Sequence, residues 1–318
     1  MGKTILVTGG AGFIGSNFVK YLLDEEPEFT NIIVMDFLTY AGHYDTMKDF
    51  INDIMFYEGD IRDKKQCYRI MRDVDVVVNF AAESHVDNSI TNPSVFVETN
   101  ILGVQNLLEL SRQFGIERFV QISTDETYGS IPKNSFREDD RLKPASPYSS
   151  TKASADLIAL SYYKTFGLDV VVTRSANNFG PYQLPEKIIP LFITNLIEDK
   201  KVPVYGEGAN VRDWIYVMDN CDGIVTVLKD GSIGEIYNIG CGHELTNIKL
   251  THKLLKLMGK DESSIEYVED RAGHDFRYSI NTDKIRKLGW KPTEQFDYDL
   301  LHTVEWYKDN ENWWKGKK

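Results

Sequence analysis

Cysteine, long apolar runs and positive charge are all scarce in this sequence of 318 residues. The three cysteines, Cys67, Cys221 and Cys241, lie far apart, and this spacing predicts neither a disulfide framework nor a zinc site. Apolar runs such as 76–78 are far shorter than the roughly 20 residues that a membrane-spanning helix needs. We therefore expect no metal site and no membrane partner.

The charge balance is acidic, with 36 lysines and arginines against 48 aspartates and glutamates. A chain of net charge −12 has no basic surplus to displace counterions from a nucleic acid, so we expect no nucleic-acid partner. A nucleotide ligand is still possible, because backbone amides and a few arginines can hold its phosphates. The first residues lack the regions of a signal peptide, and with the unpaired thiols this favours a cytoplasmic protein.

A glycine-rich turn follows the first apolar run, residues 3–7. Gly9, Gly12 and Gly15 match a dinucleotide-binding pattern, in which a tight turn brings the backbone close to a pyrophosphate. The second apolar run ends in Asp36, 21 residues after Gly15, where a carboxylate would meet the adenosine ribose and repel a 2′-phosphate. The sequence therefore predicts NAD as the cofactor, in preference to NADP.

Apolar runs alternate with helical patterns through residue 173, which predicts an α/β fold with a doubly wound parallel sheet of the Rossmann type. After Arg174 the chain becomes turn-rich and mixed. We expect an NAD-binding domain over 1–175 and a smaller mixed α/β substrate domain over 176–318, with about 205–240 returning to the first domain. Ligands of such sheets bind at the carboxyl ends of the strands.

Tyr148 and Lys152 lie four residues apart in a predicted helix that begins near Pro147, so both project from one face. An ammonium beside a phenol is expected to lower the tyrosine pKa from about 10 toward neutrality. Such a tyrosine can take the proton of an alcohol whose carbon gives hydride to a nicotinamide. An exposed helix pair is the plain alternative, and the upstream glycine-rich turn favours the catalytic interpretation.

Two adjacent acids, Asp125 and Glu126, follow the predicted fifth strand and Thr124. Carboxyl groups whose environments separate their pKa values can act as acid and base on one substrate. A solvated turn is the alternative.

Together these motifs resemble the extended short-chain dehydrogenase/reductase superfamily and, within it, the dTDP-glucose 4,6-dehydratase family. The most discriminating segment is 124–126, because related sugar-nucleotide epimerases usually have small or apolar residues in place of the acids. The resemblance runs from residue 4 to about residue 280 and is carried by 8–16, 38–42, 81–87, 123–129, 146–156, 177–190, 212–216 and 271–278.

The resemblance implies dehydration of dTDP-glucose to dTDP-4-dehydro-6-deoxy-glucose, in the biosynthesis of a deoxysugar such as rhamnose. Tyr148 would take the O4 proton while carbon 4 gives its hydride to NAD, and Thr124 would hydrogen-bond near O4. Glu126 would remove the hydrogen of carbon 5, Asp125 would protonate the departing carbon 6 hydroxyl, and the hydride would return to carbon 6. A 4-epimerase, a dehydratase of a UDP-sugar and a non-catalytic NAD-binding regulator remain alternatives.

The resemblance also implies a homodimer and a set of ligand contacts. Arg212 is expected to clamp the diphosphate with its planar guanidinium, against the alternative of a surface ion pair with Asp213. The implied NAD contacts are Gly9, Gly12, Phe13, Ile14, Gly15, Asp36, Phe37, Leu38, Thr39, Asp60, Ile61, Ala81, Ala82, Thr99, Tyr148, Lys152 and Asn178. The implied nucleotide-sugar contacts are Ser84, Thr124, Asn177, Lys187, Ile188, Pro203, Val204, Tyr205, Arg212, Asn247, Asp270, Arg271 and His274. Asp60 could instead cap the next helix.

Overall fold

The computed structural model describes residues 2–270 and 275–318, in which strands and helices alternate through residue 175. The strands are β1 (Lys3–Thr8), β2 (Phe29–Asp36), β3 (Met55–Glu58), β4 (Val76–Asn79), β5 (Arg118–Thr124), β6 (Val170–Ser175), β7 (Asn177–Phe179), β8 (Val202–Tyr205), β9 (Val211–Tyr216), β10 (Ile236–Ile239), β11 (Glu244–Thr246) and β12 (Ile265–Val268). The helices are α1 (Phe13–Glu25), α2 (Lys64–Ile70), α3 (Val86–Thr91), α4 (Pro93–Val97), α5 (Val104–Phe114), α6 (Pro147–Phe166), α7 (Ile188–Ile197), α8 (Val217–Asp230), α9 (Asn247–Met258), α10 (Asp283–Arg286), α11 (Phe296–Asp309) and α12 (Glu311–Trp314).

Seven parallel strands form the main sheet, in the order β10-β6-β5-β4-β1-β2-β3. Its strand order reverses direction at β1, since β2 and β3 lie on one side of β1 and β4, β5 and β6 on the other. The predicted doubly wound parallel sheet is confirmed.

The centre of strand β1, residues 5–7, is continuously apolar because both faces of the sheet are covered by helices. Ile5 and Val7 share a buried cluster with Phe18 of α1, whereas Leu6 belongs to the cluster on the opposite face with Leu107 of α5. Successive side chains of a strand point to opposite faces, so a continuous apolar run is what a sheet buried on both sides requires.

The C-terminal part of the chain contributes both to the main sheet and to a separate region with two smaller sheets. Helix α8 packs against α1, and β10 pairs with β6 in the main sheet. Strands β7, β9 and β11 form a second sheet, and β8 pairs with β12. A third buried cluster, which includes Phe192, Trp214, Leu254 and Trp314, lies among these later elements. The domain division at residue 175 stays a prediction.

The apolar spacing over 92–114, with Pro93 in the first turn, predicts one long helix, and the structure differs there. Helix α3 precedes this stretch, over residues to which the sequence gives no secondary structure, and a π-helical turn over Glu98–Gly103 separates α4 from α5. Gly103 lies against Ile61, since a β-carbon at position 103 would come within 2.6 Å of the Ile61 Cδ1 atom. In the part of the chain that the structure describes, every helix is too short or too polar to cross a membrane.

Candidate active site

A cleft lies at the carboxyl ends of the main strands, and residues from both halves of the chain line it. Of the residues expected to bind ligand or act chemically, those that line the cleft are Gly9, Gly12, Phe13, Ile14, Gly15, Asp36, Phe37, Thr39, Asp60, Ile61, Ala81, Ala82, Ser84, Thr99, Thr124, Asp125, Glu126, Tyr148, Lys152, Asn177, Asn178 and Lys187.

The glycine-rich turn has the close approaches that the sequence pattern predicts. Gly9 has a φ of +71°, and a β-carbon there would come within 2.5 Å of the Ala81 nitrogen. A β-carbon at Gly15 would come within 2.3 Å of the Gly9 carbonyl oxygen. Gly12 ends the turn as the N-cap of α1 and offers no side-chain cap, so the first N–H groups of α1 are left for a ligand.

Substitution of Gly12 by alanine is expected to weaken NAD binding by roughly 10-fold to 100-fold with little loss of stability. The new β-carbon would lie 3.3 Å from the Gly9 carbonyl oxygen, a contact that the turn can absorb, but it would occupy the cleft beside the helix N-terminus. Calorimetric titration with NAD measures the effect. Lys20→Ala, a change at an exposed position of the same helix α1, is the control. Equal NAD affinity in the two variants would show that the turn does not hold the pyrophosphate.

The two aspartates expected near the adenosine have different partners. The Asp36 carboxylate accepts hydrogen bonds from the backbone N–H groups of Ala11, at 2.9 Å, and Leu38, at 2.8 Å, which ties β2 to the glycine-rich turn. Burial raises the pKa of Asp36, and these two hydrogen bonds oppose the shift. Asp60 pairs with the Arg62 guanidinium at 2.7 Å. The alternative that Asp60 caps α2 is wrong, because the Asp63 side chain makes that cap.

The adjacent acids follow β5 directly. Asp125 begins a short helical turn in which the Thr124 hydroxyl donates to the Asp125 carboxylate and accepts from the Glu126 N–H, each at 3.3 Å. Asp125 is 3% exposed, so the solvated-turn alternative is wrong for it. Burial raises its pKa well above the usual range, and the charges of Glu126 and Asp213 raise it further. This shift favours the protonated form of Asp125, which a general acid needs.

Helix α6 positions Tyr148 and Lys152 one turn apart, after a capping box formed by Ser146 and Ser149. The Lys152 ammonium donates to the Ile122 carbonyl oxygen at 2.6 Å. Burial lowers the pKa of Lys152 to about 8, while the Asp156 carboxylate opposes the shift.

The expected lowering of the Tyr148 pKa is wrong for the protein chain by itself. Burial raises the pKa of Tyr148 well above its ordinary value, and the carboxylates of Glu126 and Asp125 raise it further. A hydrogen bond with Thr124 opposes these effects. The spacing of tyrosine and lysine is as expected, but burial and, after it, the acids that follow β5 raise the pKa of the phenol.

Several polar atoms at the cleft are buried without a hydrogen-bond partner among the described residues. They include the Oδ1 atoms of Asn177 and Asn178 and the Oδ2 atom of Asp125. A buried polar atom left unpaired costs about 1–3 kcal/mol, so these atoms favour a ligand with polar groups of its own. With the glycine-rich turn and Asp36, they fit a dinucleotide and a sugar. The described residues hold no group of three or more His, Cys, Asp or Glu side chains suited to a metal ion.

Some of the expected contacts lie elsewhere. Leu38 does not line the cleft, and its N–H serves Asp36 instead. Arg271 and His274 lie outside the described residues. The expected sugar-nucleotide residues that are described but do not line this cleft are Ile188, Pro203, Val204, Tyr205, Arg212, Asn247 and Asp270. They lie on or beside α7, β8, β9, α9 and β12, elements that the sequence could not place relative to β5.

Arg212 is 6% exposed and is held from several sides. Its guanidinium donates to the Asp275 carbonyl oxygen at 2.9 Å and lies over the Tyr278 ring, 4.2 Å from the centroid. Its positive charge also lowers the pKa of Asp125 in part, which places it near the acids. The alternative of a surface ion pair with Asp213 is wrong, because Asp213 is itself buried.

The sequence analysis missed several polar residues that line the cleft. Glu83 falls in a segment that carried the family resemblance, but its side chain had no assigned role. Gln183 and Glu186 lie in the turn-rich segment after β7, and only that position near Asn178 hinted at them. The missed polar lining residues are Arg62, Glu83, Ser123, Ser175, Gln183 and Glu186.

The fold and the site define the class of protein first. A seven-stranded parallel sheet, a glycine-rich turn after β1, and a tyrosine and lysine one helical turn apart in the same cleft are the features of an extended short-chain dehydrogenase/reductase.

Comparison with known proteins gives the family. Residues 6–301 match the family described as GDP-mannose 4,6 dehydratase, and the chain belongs to it. The chain is 52% identical over 305 residues to the low-salt glycan biosynthesis protein Agl12 of Haloferax volcanii, covering 95% of this chain and 98% of that protein. It is 48% identical to a dTDP-glucose 4,6-dehydratase of Streptomyces niveus, covering 99% of this chain and 95% of that one.

A solved structure agrees with these relatives. The dTDP-glucose 4,6-dehydratase DesIV of Streptomyces venezuelae, crystallised with NAD bound, superposes with a TM-score of 0.97 at 50% identity. The match covers 99% of this chain and 100% of that one. The resemblance stated from the motifs is confirmed.

Proposed function

We propose that this chain is an NAD-dependent lyase that dehydrates dTDP-glucose to dTDP-4-dehydro-6-deoxy-glucose. The observation that carries the proposal is the placement of Asp125 and Glu126 beside Tyr148 in one cleft. A 4-epimerase needs no acid and base for carbons 5 and 6, so the acids favour the dehydratase. The named dehydratases among the relatives act on a dTDP-sugar, which favours dTDP-glucose over a UDP-sugar. Intact Tyr148 and Lys152 disfavour a non-catalytic regulator.

The first step is the oxidation of carbon 4. The Tyr148 phenolic oxygen accepts the O4 proton, and the Thr124 hydroxyl, which hydrogen-bonds Tyr148, keeps the phenol and O4 aligned. NAD, when bound, takes the hydride of carbon 4 and later returns it, and its positive nicotinamide favours the tyrosine phenolate. The Lys152 ammonium adds positive charge on the same helix face.

The second step removes water from the keto sugar. The new carbonyl acidifies the hydrogen of carbon 5, Glu126 accepts that proton, and the buried Asp125 carboxyl donates its proton to the departing carbon 6 hydroxyl. The hydride then returns to carbon 6, and Glu126, after exchanging its proton with solvent, protonates carbon 5. The sugar has lost one water, and the cofactor ends in the oxidation state in which it began.

The NAD contacts proposed from the described residues are those of the glycine-rich turn, Asp36, the Ala81 and Ala82 segment, Thr99 and Asn178. For the sugar they are Ser84, Thr124, Asn177 and Lys187, all at the cleft. Arg212 remains our proposed clamp for the diphosphate, at the side of the acids.

The turnover rate is expected to fall as the pH rises through about 8, because the reaction needs the Lys152 ammonium and its pKa is lowered to about 8. Between that value and the ordinary 10.5, the unfolded chain binds more protons at this lysine than the folded chain does. The contribution of Lys152 to the free energy of unfolding therefore rises over this range, so deprotonation of this lysine does not by itself unfold the protein. Turnover and melting temperature measured against pH test this, and constant turnover up to about pH 10 would contradict it.

The reaction itself is tested with purified protein and dTDP-glucose, without added cofactor. We expect a 4-keto-6-deoxy product, with deuterium at carbon 5 when the solvent is heavy water. Formation of dTDP-galactose would identify an epimerase instead. Conversion of UDP-glucose at a higher kcat/KM than dTDP-glucose would contradict the proposed nucleotide.

We also propose a cytoplasmic homodimer that supplies a deoxysugar pathway of the rhamnose type. The three cysteines are free thiols, as expected in a reducing compartment. Val97, Leu102 and Leu157 are exposed apolar side chains on helical segments that pack side by side, and they suit an interface between two copies. The relative from Haloferax volcanii is named for glycan biosynthesis, which agrees with a product used in a glycan.

A further inference from the structure

The last residues of the sequence contact the loop that follows β2 through an ion pair and an aromatic contact. We call residues 37–49 the cofactor loop, because its first half lines the cleft, and residues 306–318 the C-terminal segment. The Lys317 ammonium lies 2.7 Å from the Asp45 carboxylate of the cofactor loop and donates to the Trp313 carbonyl oxygen at 2.7 Å. Although it is next to the last residue, the Lys317 side chain is only 11% exposed.

Trp313 forms the apolar part of the same contact. Its side chain is buried and meets the rings of His43 and Tyr182 edge-on, with centroid distances of 6.5 Å and 5.5 Å. The Lys317 ammonium lies over the indole, 4.5 Å from the ring centroid. The Tyr182 hydroxyl donates to Asp49 at 3.4 Å, so the contact extends along the loop.

The part of the cofactor loop that contacts the C-terminal segment, residues 43–45, is hydrogen-bonded to the glycine-rich turn. The His43 N–H donates to the Ala11 carbonyl oxygen at 3.2 Å. Gly42 lies so close to Asp36 that a β-carbon on it would come within 2.4 Å of the carboxylate. A shift of residues 43–45 would therefore disturb the pyrophosphate and ribose ends of the NAD site together.

The C-terminal segment also contacts the opposite wall of the cleft. The Tyr307 hydroxyl donates to the Gln183 carbonyl oxygen, and the Gln183 side chain donates to the Asn178 carbonyl oxygen at 2.9 Å. Gln183 and Asn178 both line the cleft. The indole N–H of Trp314 donates to the Tyr307 carbonyl oxygen at 2.8 Å, which ties α12 to α11. One short segment thus braces two walls between which NAD would lie.

We infer that Lys317 and Trp313 are positioning residues that retain the cofactor in the cleft by bracing the cofactor loop against the C-terminal segment. The inference rests on the proposed function. In that reaction the hydride taken from carbon 4 must return to the same sugar. If the reduced cofactor dissociates before it returns the hydride, the sugar remains a keto intermediate and the reaction stops. Slow cofactor release is therefore a requirement of the chemistry, and the brace meets it without contacting the reacting atoms.

The test measures cofactor release and does not depend on turnover. Enzyme loaded with NADH is diluted into excess NAD, and the decay of bound NADH fluorescence gives the release rate. We expect release about threefold to tenfold faster in Lys317→Met, the range of a weak ion pair plus lost packing over the indole. Asp45→Asn should behave similarly, and the double variant should release no faster than the faster single one. Lys317→Arg should release NADH more slowly than Lys317→Met, because it keeps the charge that faces Asp45.

Lys315→Met is the matched control, since Lys315 lies in the same segment but pairs locally with Glu311 at 2.5 Å. Its release rate should equal that of wild type. If Lys317→Met, Asp45→Asn and Lys315→Met all bind NADH and release it at the same rate, this inference is wrong, while the proposed function is unaffected. A wild-type protein that retains no NADH would refute the proposed cofactor and this inference with it.

Discussion

Substitution of Glu126 by glutamine is expected to lower turnover by about 10³-fold while leaving the first hydride transfer in place. Glutamine keeps the shape of the side chain but cannot accept the carbon 5 proton. The keto sugar and the reduced cofactor should therefore accumulate together, in an amount equal to the enzyme. The absorbance of reduced nicotinamide in a single-turnover experiment measures the first step, and product analysis measures the second.

Asp125→Asn is the informative partner variant, because the two acids have opposite roles. Without the acid, elimination should be slow, but Glu126 should still exchange the carbon 5 hydrogen with solvent. Deuterium should therefore enter carbon 5 of the keto intermediate in heavy water with Asp125→Asn and not with Glu126→Gln. Exchange in the Glu126 variant at the wild-type rate would assign the base to another residue.

Replacement of Tyr148 by phenylalanine is expected to remove the oxidation step itself, with a loss of kcat/KM of about 10³-fold to 10⁴-fold. The burial and the neighbouring carboxylates that raise the Tyr148 pKa keep the phenolate, which is the basic form, scarce until bound cofactor adds positive charge. Reduced nicotinamide should not appear in a single turnover, in contrast to the Glu126 variant.

Tyr267→Phe is the control for this change, since Tyr267 lies on β12 and is 61% exposed. Its turnover should match that of wild type, and NAD affinity should be retained in both variants. Formation of reduced nicotinamide by Tyr148→Phe at a rate within tenfold of wild type would remove the tyrosine from the proposed role.

Local patterns predicted most of the NAD-binding half, because each of its signals lies within a few residues. The apolar run at β1, the glycines after it and the acid ending β2 depend on burial on both sheet faces and on a tight turn. Helix α3 was missed because it is short and lacks an apolar stripe.

Properties that depend on distant segments could not be predicted. The pKa of Tyr148 is raised first by burial and then by the acids that follow β5, and the local spacing of tyrosine and lysine carries no information about either. The burial of Arg212 depends on carbonyl groups near residue 275. Tryptophans near the end of a chain are typical packing residues, and Trp314 is one of them. The contact between Trp313 and His43 of the cofactor loop joins residues about 270 positions apart, so no local pattern predicts it.

The central claim is that the hydride removed from carbon 4 returns to carbon 6 of the same sugar. It is tested with an equal mixture of two substrates, dTDP-glucose with deuterium at carbon 4 and dTDP-glucose with a heavy carbon at position 6 and ordinary hydrogen at carbon 4, and the product is analysed by mass spectrometry and NMR. We expect deuterium at carbon 6 of the product and no molecule with both labels. Deuterium at carbon 4 of a hexose product, or products with both labels, would contradict the claim.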